Sequence, residues 1–303
     1  MCCINDAYVQ HCVVMLASLF DNNKSSQFCI HVFSFSLNTE SIRILRSFVI
    51  QNSQNIEIKI MDVPDIEFPN INGHYISAEA YIRLFVPGSL DKSIDKILYM
   101  DVDMVVVGDI TELFEIDLGD NLLGAIMDTP KKNRNQRLGI PVEYGYFNSG
   151  LLMINLNKWV ELDITSKCVQ YIKEHATLIY QHDQDVLNAV AFNMWQRIPF
   201  KWNMLNSFFY TPPYIALEYR EEVEESYKNV RIAHFSGAVK PWHSWCRHPY
   251  YKKYYEYLSK TPFNGYKPSL KMQWNSYRFP KNIMAIIGIS SVLGRIINRK
   301  YIN

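Results

Sequence analysis

Two aspartates separated by one residue, Asp101 and Asp103, follow residues 95–100, whose apolar pattern predicts a buried strand. Side chains alternate along a strand, so the two carboxylates leave its end on the same side. Open α/β sheets bind ligands at the carboxyl ends of parallel strands, and carboxylate oxygens there suit Mg²⁺ or Mn²⁺ carrying a diphosphate. The alternative is a solvated turn, because this pattern is common by chance.

A second group that could do metal chemistry lies in residues 233–243, where His234 precedes Gly237 and Lys240. An imidazole ligand beside carboxylates shifts the metal preference from Mg²⁺ toward Mn²⁺. Gly237 lets a phosphate approach the backbone closely, and Lys240 can neutralise phosphate charge. The alternative is a hydrogen-bonded core histidine in a turn.

Polar residues beside three other predicted elements could face a substrate. The sequence His-Asp-Gln-Asp at 182–185 precedes an apolar helix. Its acidic residues either cap that helix or place Asp183 and Gln184 over a reacting sugar carbon. Asn148 is either a turn residue or the partner of a sugar hydroxyl. Arg83, on an apolar helical stretch, is either a structural ion pair or a diphosphate ligand.

The elements that must hold these residues alternate between strand and helix. Periodicity and turn residues predict strands at 28–35, 56–61, 95–100, 122–127 and 150–155, and helices at 9–20, 39–51, 78–85, 164–174 and 184–192. A short first strand ends at Ile4. This order predicts an α/β fold with a doubly wound, mostly parallel sheet.

Charge and cysteine content bear on the partners and the compartment. The 303 residues carry 31 Lys plus Arg against 30 Asp plus Glu, so no overall field selects nucleic acid as a partner. The six cysteines contain no CxxC pair, so we expect no zinc site. Scattered cysteines of this kind suit a reducing cytoplasm.

The last segment differs in composition, so we expect a domain at 1–260 and a basic, apolar tail at 261–303. The tail's apolar stretch near 283–297 is too short to span a bilayer, which takes about 20 residues. It suits a helix lying on an anionic membrane surface; the alternative is a core helix packed on the domain. After Glu256 there is no acidic residue, while the basic residues are Lys260, Lys267, Lys271, Arg278, Lys281, Arg295, Arg299 and Lys300.

Taken together, these motifs resemble glycosyltransferase family 8, whose members include bacterial lipopolysaccharide galactosyl- and glucosyltransferases and the glycogenins. Their order and spacing match from the start of the chain to about residue 250. The residues that carry the resemblance are Asn5-Asp6-Ala7-Tyr8, Arg83, Tyr99 to Asp103, Leu118 to Asn121, Phe147 to Gly150, Asn155 to Trp159, His182 to Asp185, and His234 to His243.

The resemblance implies a GT-A fold in a single Rossmann-like domain with a helical C-terminal tail. It also implies a retaining transfer in which Asp101, Asp103 and His234 bind Mn²⁺, or Mg²⁺, against the phosphates of a UDP-sugar. The implied donor-binding residues are Asn5, Asp6, Ala7, Tyr8, Arg83, Asp101, Val102, Asp103, Asn148, Gly237 and Lys240. The implied catalytic residues are Asp183, Gln184 and Asp128.

Two details of that resemblance concern uridine. Tyr8 is implied to stack on uracil, with the loop from Asn5 to Tyr8 around the nucleoside. Members of the family often have aspartate where this chain has Asn5, so that contact is expected to differ.

These inferences predict a metal-dependent hexosyltransferase that moves glucose or galactose from UDP to an oligosaccharide or glycolipid such as lipopolysaccharide. We expect it in the cytoplasm, at the inner face of the membrane. One alternative is a sugar-nucleotide nucleotidyltransferase, but the glycine-rich loop typical of those enzymes is not present at residues 5–8. The other is a non-catalytic sugar-binding or membrane-adaptor protein, which the intact Asp101, Asp103 and His234 disfavour.

Overall fold

The protein is described by a computed structural model, which covers residues 1–66, 68–69 and 78–268. Its strands are β1 Cys2–Cys3, β2 Cys29–Ser34, β3 Asn55–Ile60, β4 Lys96–Met100, β5 Met104–Val106, β6 Leu123–Ala125, β7 Leu151–Asn155, β8 Trp195–Arg197, β9 Met204–Leu205 and β10 Ile232–His234. The helices are α1 Val9–Asn22, α2 Thr39–Gln51, α3 Thr111–Phe114, α4 Arg134–Leu138, α5 Leu156–Glu161, α6 Ile164–His175, α7 His182–Ala191, α8 Arg220–Ser226 and α9 Tyr251–Leu258.

Most of the predicted elements are confirmed, and their ends follow from local chemistry. Helix α1 is buried along almost its whole length because it is apolar on nearly every face. Helix α2 begins after Asn38, whose side chain accepts a hydrogen bond from the backbone of Ser41, and Asn155 caps α5 in the same way. The predicted helix at 78–85 is instead a 3₁₀ segment, Ala78–Leu84.

The strands form a parallel sheet in the first half of the chain. Strands β1, β2 and β3 pair in that order, all parallel. The backbone nitrogen of Met1 donates to Leu98 at 2.7 Å, and the Met100 N–H donates to Met1 at 3.0 Å. This is the hydrogen-bond pattern of a parallel pair, so the start of β1 lies beside the end of β4.

The expected parallel arrangement is wrong for the middle of the sheet. Strand β7 lies between β4 and β6 and runs antiparallel to both, whereas β8 is parallel to β6. A parallel return needs a crossover of a dozen or more residues, usually a helix. The connection between β6 and β7 is long enough for such a crossover, but it forms only the five-residue α4 and a 3₁₀ turn. Its two ends pair antiparallel at Met127 and Phe147, so β7 runs back along β6.

A small third sheet, with strand order β5-β10-β9, lies next to the end of β4. Strand β10 is antiparallel to β5, with His234 opposite Met104, and parallel to β9. Because β5 begins just after Asp103, this register brings the last residue of β10 to the two aspartates. The Phe235 N–H donates to the Asp103 carbonyl at 2.9 Å and closes the connection.

Two apolar clusters cover the two faces of the central strands. Leu98 and Met100 of β4 pack in one cluster with α1 and the third sheet, whereas Ile97 and Tyr99 pack in the other with α6 and α7. This alternation is the period of a strand buried on both faces. Helix α9 contacts α1 and closes the first cluster.

The expected boundary at residue 260 falls just after α9, and the separate tail stays a prediction. Residues 269–303 lie outside the described part of the chain, and with them the predicted tail helix. Within the described residues no helix is both long enough and apolar enough to cross a membrane.

Candidate active site

Asp101, Asp103 and His234 converge at one point, as the sequence hypothesis requires. Each offers one ligand atom, and these atoms lie within 4.8 Å of one another. The His234 Nε2 atom is 3.2 Å from Asp103 Oδ1 and 4.0 Å from Asp101 Oδ2. Two carboxylate oxygens and one imidazole nitrogen form a donor set that suits Mn²⁺.

Strand direction explains why these residues meet. The Asp101 N–H donates to the Gly150 carbonyl at 2.8 Å, because the antiparallel start of β7 lies opposite the end of β4. The end of β10 reaches the same place through its pairing with β5. The site therefore forms where the ends of β4 and β10 meet the start of β7.

Gly150 lies against two of the three candidate ligands, His234 and Asp101. A Cβ atom at this position would lie 2.4 Å from His234 Cε1 and 2.9 Å from Asp101 Oδ2. A carbon atom such as Cβ, which forms no hydrogen bond, does not approach other side-chain atoms that closely. The side chains of His234 and Asp101 can therefore approach each other only because residue 150 is glycine.

Arg83 is buried and lies between two carboxylates. Its Nη2 donates to Asp101 Oδ1 at 2.9 Å, its Nε is 3.2 Å from Asp183 Oδ2, and its Nη1 donates to the Ser149 carbonyl at 2.8 Å. The guanidinium also stacks on the Tyr99 ring at 4.2 Å. Arg83 thus forms the ion pair that the sequence left as one alternative, and it also lines the cavity.

Asp183 is a buried carboxyl beside that cation. Burial raises its pKa to about 6, although Arg83 and a hydrogen bond from the Ser149 hydroxyl at 2.9 Å act in the opposite direction. Asp185 instead accepts from the backbone N–H groups of Tyr180 and Gln181, just before α7 begins. Asp183 lines the cavity.

A hydrogen-bonded network joins Asn148, Gln184 and Asp128. The Gln184 side chain accepts from Asn148 Nδ2 at 3.2 Å and from the Ser149 N–H at 3.0 Å, and its Nε2 donates to Asp128 Oδ2 at 2.9 Å. Arg134 Nη1 donates to the same Asp128 oxygen at 3.1 Å. Both ends of the Gln184 amide are fixed, so it is held in one orientation at the cavity wall.

Lys240 provides a positive charge beside Asp103, where the three candidate metal ligands converge. Its ammonium group forms an ion pair with Asp103 Oδ2 and donates to the Phe235 carbonyl at 2.8 Å. Burial alone would raise the pKa of Asp103, but the Lys240 ammonium beside it outweighs burial and holds that pKa well below its ordinary value. Asp103 is therefore ionised and available as a ligand at neutral pH.

Aromatic packing fixes the loop that carries Lys240. The Trp242 ring stacks on His11 of α1, with 3.5 Å between ring centroids, and Tyr8 meets Trp242 edge-on at 6.3 Å. The hydroxyl group of Tyr254, on α9, lies 2.7 Å from His11 Nδ1, within hydrogen-bond distance. Burial lowers the pKa of His11 to about 3, so this histidine is neutral.

These residues enclose a cavity of about 730 Å³, within the range of pockets that hold small ligands and cofactors. Asp6 and Ala7, predicted to bind the donor, do not line it: both are exposed, and Asp6 accepts from the Asn38 N–H. Asn5 lines it but also caps the 3₁₀ turn through Ala7. The predicted residues that line it are Asn5, Tyr8, Arg83, Asp101, Val102, Asp103, Asp128, Asn148, Asp183, Gln184, His234, Gly237 and Lys240.

Sequence reasoning missed Asn203 and Arg134, and it gave Gly150 no role beyond its place in the motif at 147–150. Asn203 is fully buried, and its Oδ1 is 2.9 Å from His234 Nδ1. Its only signal is one amide in a stretch, residues 198 to 205, that is otherwise apolar except for Lys201. A glycine at the start of a predicted strand is a known sign of close approach, which could have identified Gly150.

Comparison with known proteins agrees with this geometry. The family described as Glycosyl transferase family 8 matches residues 1–246. General stress protein A of Bacillus subtilis is 29% identical over 86% of this chain and 93% of its own length. A lipopolysaccharide 1,2-glucosyltransferase of Escherichia coli K12 is 30% identical, over 63% of this chain and 57% of that protein.

Solved structures give the same result for the fold. The galactosyltransferase LgtC, crystallised with donor and acceptor sugar analogues, superposes with a TM-score of 0.77 at 25% identity, over 90% of this chain and 97% of that one. The fold is therefore the GT-A fold that the motifs implied, with β7 and β10 antiparallel. From the family match over residues 1–246 and this shared architecture, the chain belongs to glycosyltransferase family 8.

Proposed function

We propose that this protein transfers glucose or galactose from a UDP-sugar to a saccharide acceptor, with retention of configuration and with Mn²⁺ at Asp101, Asp103 and His234. The observation that carries the proposal is the convergence of these three ligands at one end of a 730 Å³ cavity. Relatives of the chain include lipopolysaccharide glucosyl- and galactosyltransferases, which supports a hexose donor and a glycan acceptor.

The residues fit a divalent cation on three counts. Two hard oxygens and one nitrogen lie within 4.8 Å of one another, and Gly150 leaves His234 and Asp101 free to approach. The carboxyl of Asp103 is ionised because Lys240 holds its pKa low. When bound, the cation would stabilise the negative charge that develops on the diphosphate leaving group.

The positive charge of Lys240 can also stabilise the diphosphate leaving group. Lys240 lies close enough to Asp103 to pair with it, and it can move to a phosphate once a cation neutralises that carboxylate. Stacking of Trp242 on His11 holds the loop that carries Lys240 in place. A cation fixed beside a departing phosphate is worth most in a cavity from which water is excluded.

Retention can arise in two ways, and the side chains favour transfer without a covalent sugar–protein bond. Gln184 is a neutral amide with both ends engaged, and Asp183 is held by Arg83 and Ser149. Neither is an activated nucleophile. In the proposed step, the bond from the anomeric carbon to the phosphate oxygen breaks, the acceptor hydroxyl attacks from the same face, and its proton passes to a UDP oxygen.

The donor-side test is a panel of UDP-sugars with Mn²⁺, measuring released UDP. We expect UDP-glucose or UDP-galactose to be turned over, with loss of activity on chelation. Asp101→Asn should remove most of the turnover, whereas Asp21→Asn, at an exposed ion pair with Lys260, should not. Full activity of the Asp101 variant, or a sugar trapped covalently on Asp183, would contradict the mechanism.

The acceptor and its location are proposed from the sequence alone. Basic residues and an apolar stretch in residues 269–303 suit an anionic membrane, where a glycolipid acceptor would be found. The test compares flotation of the full chain on anionic liposomes with that of a chain ending at Pro268. Equal flotation of the two would end the membrane proposal but leave the donor chemistry untouched.

A further inference from the structure

We propose that Asn203 is a positioning residue that fixes the tautomer of His234, so that the Nε2 atom presents a lone pair to the metal site. The proposal rests on the metal-binding role assigned above to His234. Asn203 directly precedes β9 and is fully buried, and His234 is 3% exposed. The Asn203 Oδ1 and His234 Nδ1 atoms are 2.9 Å apart.

The orientation of the Asn203 amide follows from its other contact. Its Nδ2 lies 3.0 Å from Asn148 Oδ1, and the backbone N–H of Gly150 lies 3.1 Å from the same Asn148 atom. A backbone N–H can only donate, so the Asn148 atom facing it must be the oxygen. The Asn203 atom that faces this oxygen must then be its nitrogen.

The far end of the Asn148 amide is consistent with this orientation. Its Nδ2 lies 3.2 Å from Gln184 Oε1, which also accepts from the backbone N–H of Ser149 at 3.0 Å. Two successive backbone N–H groups thus orient the amides on both sides of Asn148. Neither amide can be turned over without placing like groups against each other.

The orientation of the Asn203 amide determines which ring nitrogen of His234 carries the proton. Because the oxygen of Asn203 faces His234, the Nδ1 atom must carry a proton. A neutral imidazole has only one such proton, so Nε2 has none. That bare nitrogen faces Asp103 Oδ1 at 3.2 Å and Asp101 Oδ2 at 4.0 Å, where it repels both carboxylates unless a cation lies between them.

Partners that donate or accept at the second ring nitrogen of a metal-ligating histidine usually affect metal affinity by roughly 10–100-fold. Here the partner of His234 is the neutral amide of Asn203. Its orientation is set, through Asn148, by the backbone N–H of Gly150. Asn148 therefore links the metal end of the cavity to Gln184 at the sugar end. Loss of Asn203 should disturb His234 first, since no other described residue is seen within hydrogen-bond distance of its Nδ1.

The first test uses ¹⁵N imidazole NMR on the metal-free protein at pH 8.5, so that no metal imposes the tautomer. We expect a protonated Nδ1 and an unprotonated Nε2 for His234 in the wild-type protein. Asn203→Leu should move the proton to Nε2, where it can be donated to Asp103. A wild-type His234 with its proton on Nε2 would overturn the proposal, whatever the activity of the enzyme.

The second test titrates Mn²⁺ into the protein at fixed UDP concentration and follows free Mn²⁺ by electron paramagnetic resonance. Asn203→Leu should weaken Mn²⁺ binding by roughly 10–100-fold. The matched control is Asn23→Leu, which removes two hydrogen bonds from an amide that is also buried but does not line the cavity. Both variants should lose stability, but only the first should lose affinity.

The outcomes separate this proposal from the proposed function. If the wild-type protein binds no Mn²⁺, the function fails and the role of Asn203 fails with it. If the wild type binds Mn²⁺ and Asn203→Leu binds it equally well, only the role of Asn203 is overturned. Should Asn203→Leu not fold, Asn203→Ser, whose shorter side chain cannot bridge His234 and Asn148, is expected to give the same loss of affinity.

Discussion

Substituting Gly150 with alanine tests whether close packing of the ligands creates the metal site. The added Cβ would lie 2.4 Å from His234 Cε1 and 2.9 Å from Asp101 Oδ2. Carbon atoms in contact are about 3.5–4.0 Å apart, so the imidazole must move by about 1 Å or more. The one added methyl group therefore displaces two of the three proposed metal ligands, His234 and Asp101.

The size of the effect follows from the tolerance of metal coordination. Ligand distances need to hold to about 0.2 Å, far less than this displacement. A misplacement of about 1 Å can cost roughly 10²-fold in rate, and disturbed ligand support costs roughly 10–100-fold in metal affinity. We expect losses of that order in kcat and in Mn²⁺ affinity, with about 1–3 kcal/mol lost from the free energy of unfolding by overpacking.

Two glycines supply controls for this substitution. In Gly124→Ala the Cβ would lie 2.9 Å from Leu118 Cδ2 in the core, away from the cavity lining, so stability should fall without loss of Mn²⁺ affinity. Gly88→Ala meets nothing closer than Thr165 Oγ1 at 3.8 Å and should change neither. Mn²⁺ binding is followed by calorimetry with UDP, and stability by urea unfolding. Wild-type Mn²⁺ affinity in Gly150→Ala would refute the reasoning.

Three further predictions concern the buried charges of Arg83 and Asp183 and the stacking proposed for Tyr8. Arg83→Met leaves two carboxylates without their shared cation and should cost roughly 3–5 kcal/mol in urea unfolding, against about 1 kcal/mol or less for Arg197→Met at an exposed pair. Burial raises the Asp183 pKa to about 6 from about 3.9 in the unfolded chain, so ionisation costs stability as pH rises through that window. Asp183→Asn should therefore gain about 1 kcal/mol relative to wild type between pH 5 and pH 7.5; a constant difference in unfolding free energy would contradict this. Tyr8→Ala should raise the KM for the donor roughly tenfold at unchanged kcat, because base stacking is worth about 1–3 kcal/mol; steady-state kinetics with an unchanged KM would exclude stacking.

Elements with a strong local pattern could be predicted from the sequence. Helices α1 and α2 and strands β2 and β3 are close to the predicted bounds, because periodicity and capping asparagines act within a few residues. The segment Ala78–Leu84 was expected to be α-helical and is a 3₁₀ turn. Four consecutive buried residues there give no single apolar face, so contacts with the rest of the fold determine its form.

Strand direction was the main feature that local sequence could not supply. The pairing partners of β7 and β10 are distant in sequence, and β5, β8, β9 and β10 have only two or three residues each, too few for a period-2 pattern. The site was expected from the carboxyl ends of parallel strands. It forms instead because β7 starts, and β10 ends, beside Asp101 and Asp103.

Residue types at the site could be predicted, but their connections could not. Carboxylates, a histidine and a lysine stand out by their chemistry, and the structure brings Asp101, Asp103 and His234 together. The environment of Asn148 depends on Asn203, which lies 55 residues away and carries no charge. An amide in an apolar run is typical of any buried hydrogen bond, so its place beside His234 appears only in the folded chain.

The central claim is that Asp101, Asp103 and His234 hold one cation beside the cavity. The most direct measurement is an anomalous difference map at the manganese edge from crystals grown with Mn²⁺ and UDP. The account predicts one strong peak within coordination distance of a carboxylate oxygen of each aspartate and of His234 Nε2, next to the diphosphate. A peak elsewhere, or UDP bound in the cavity with no metal at these three side chains, would contradict it.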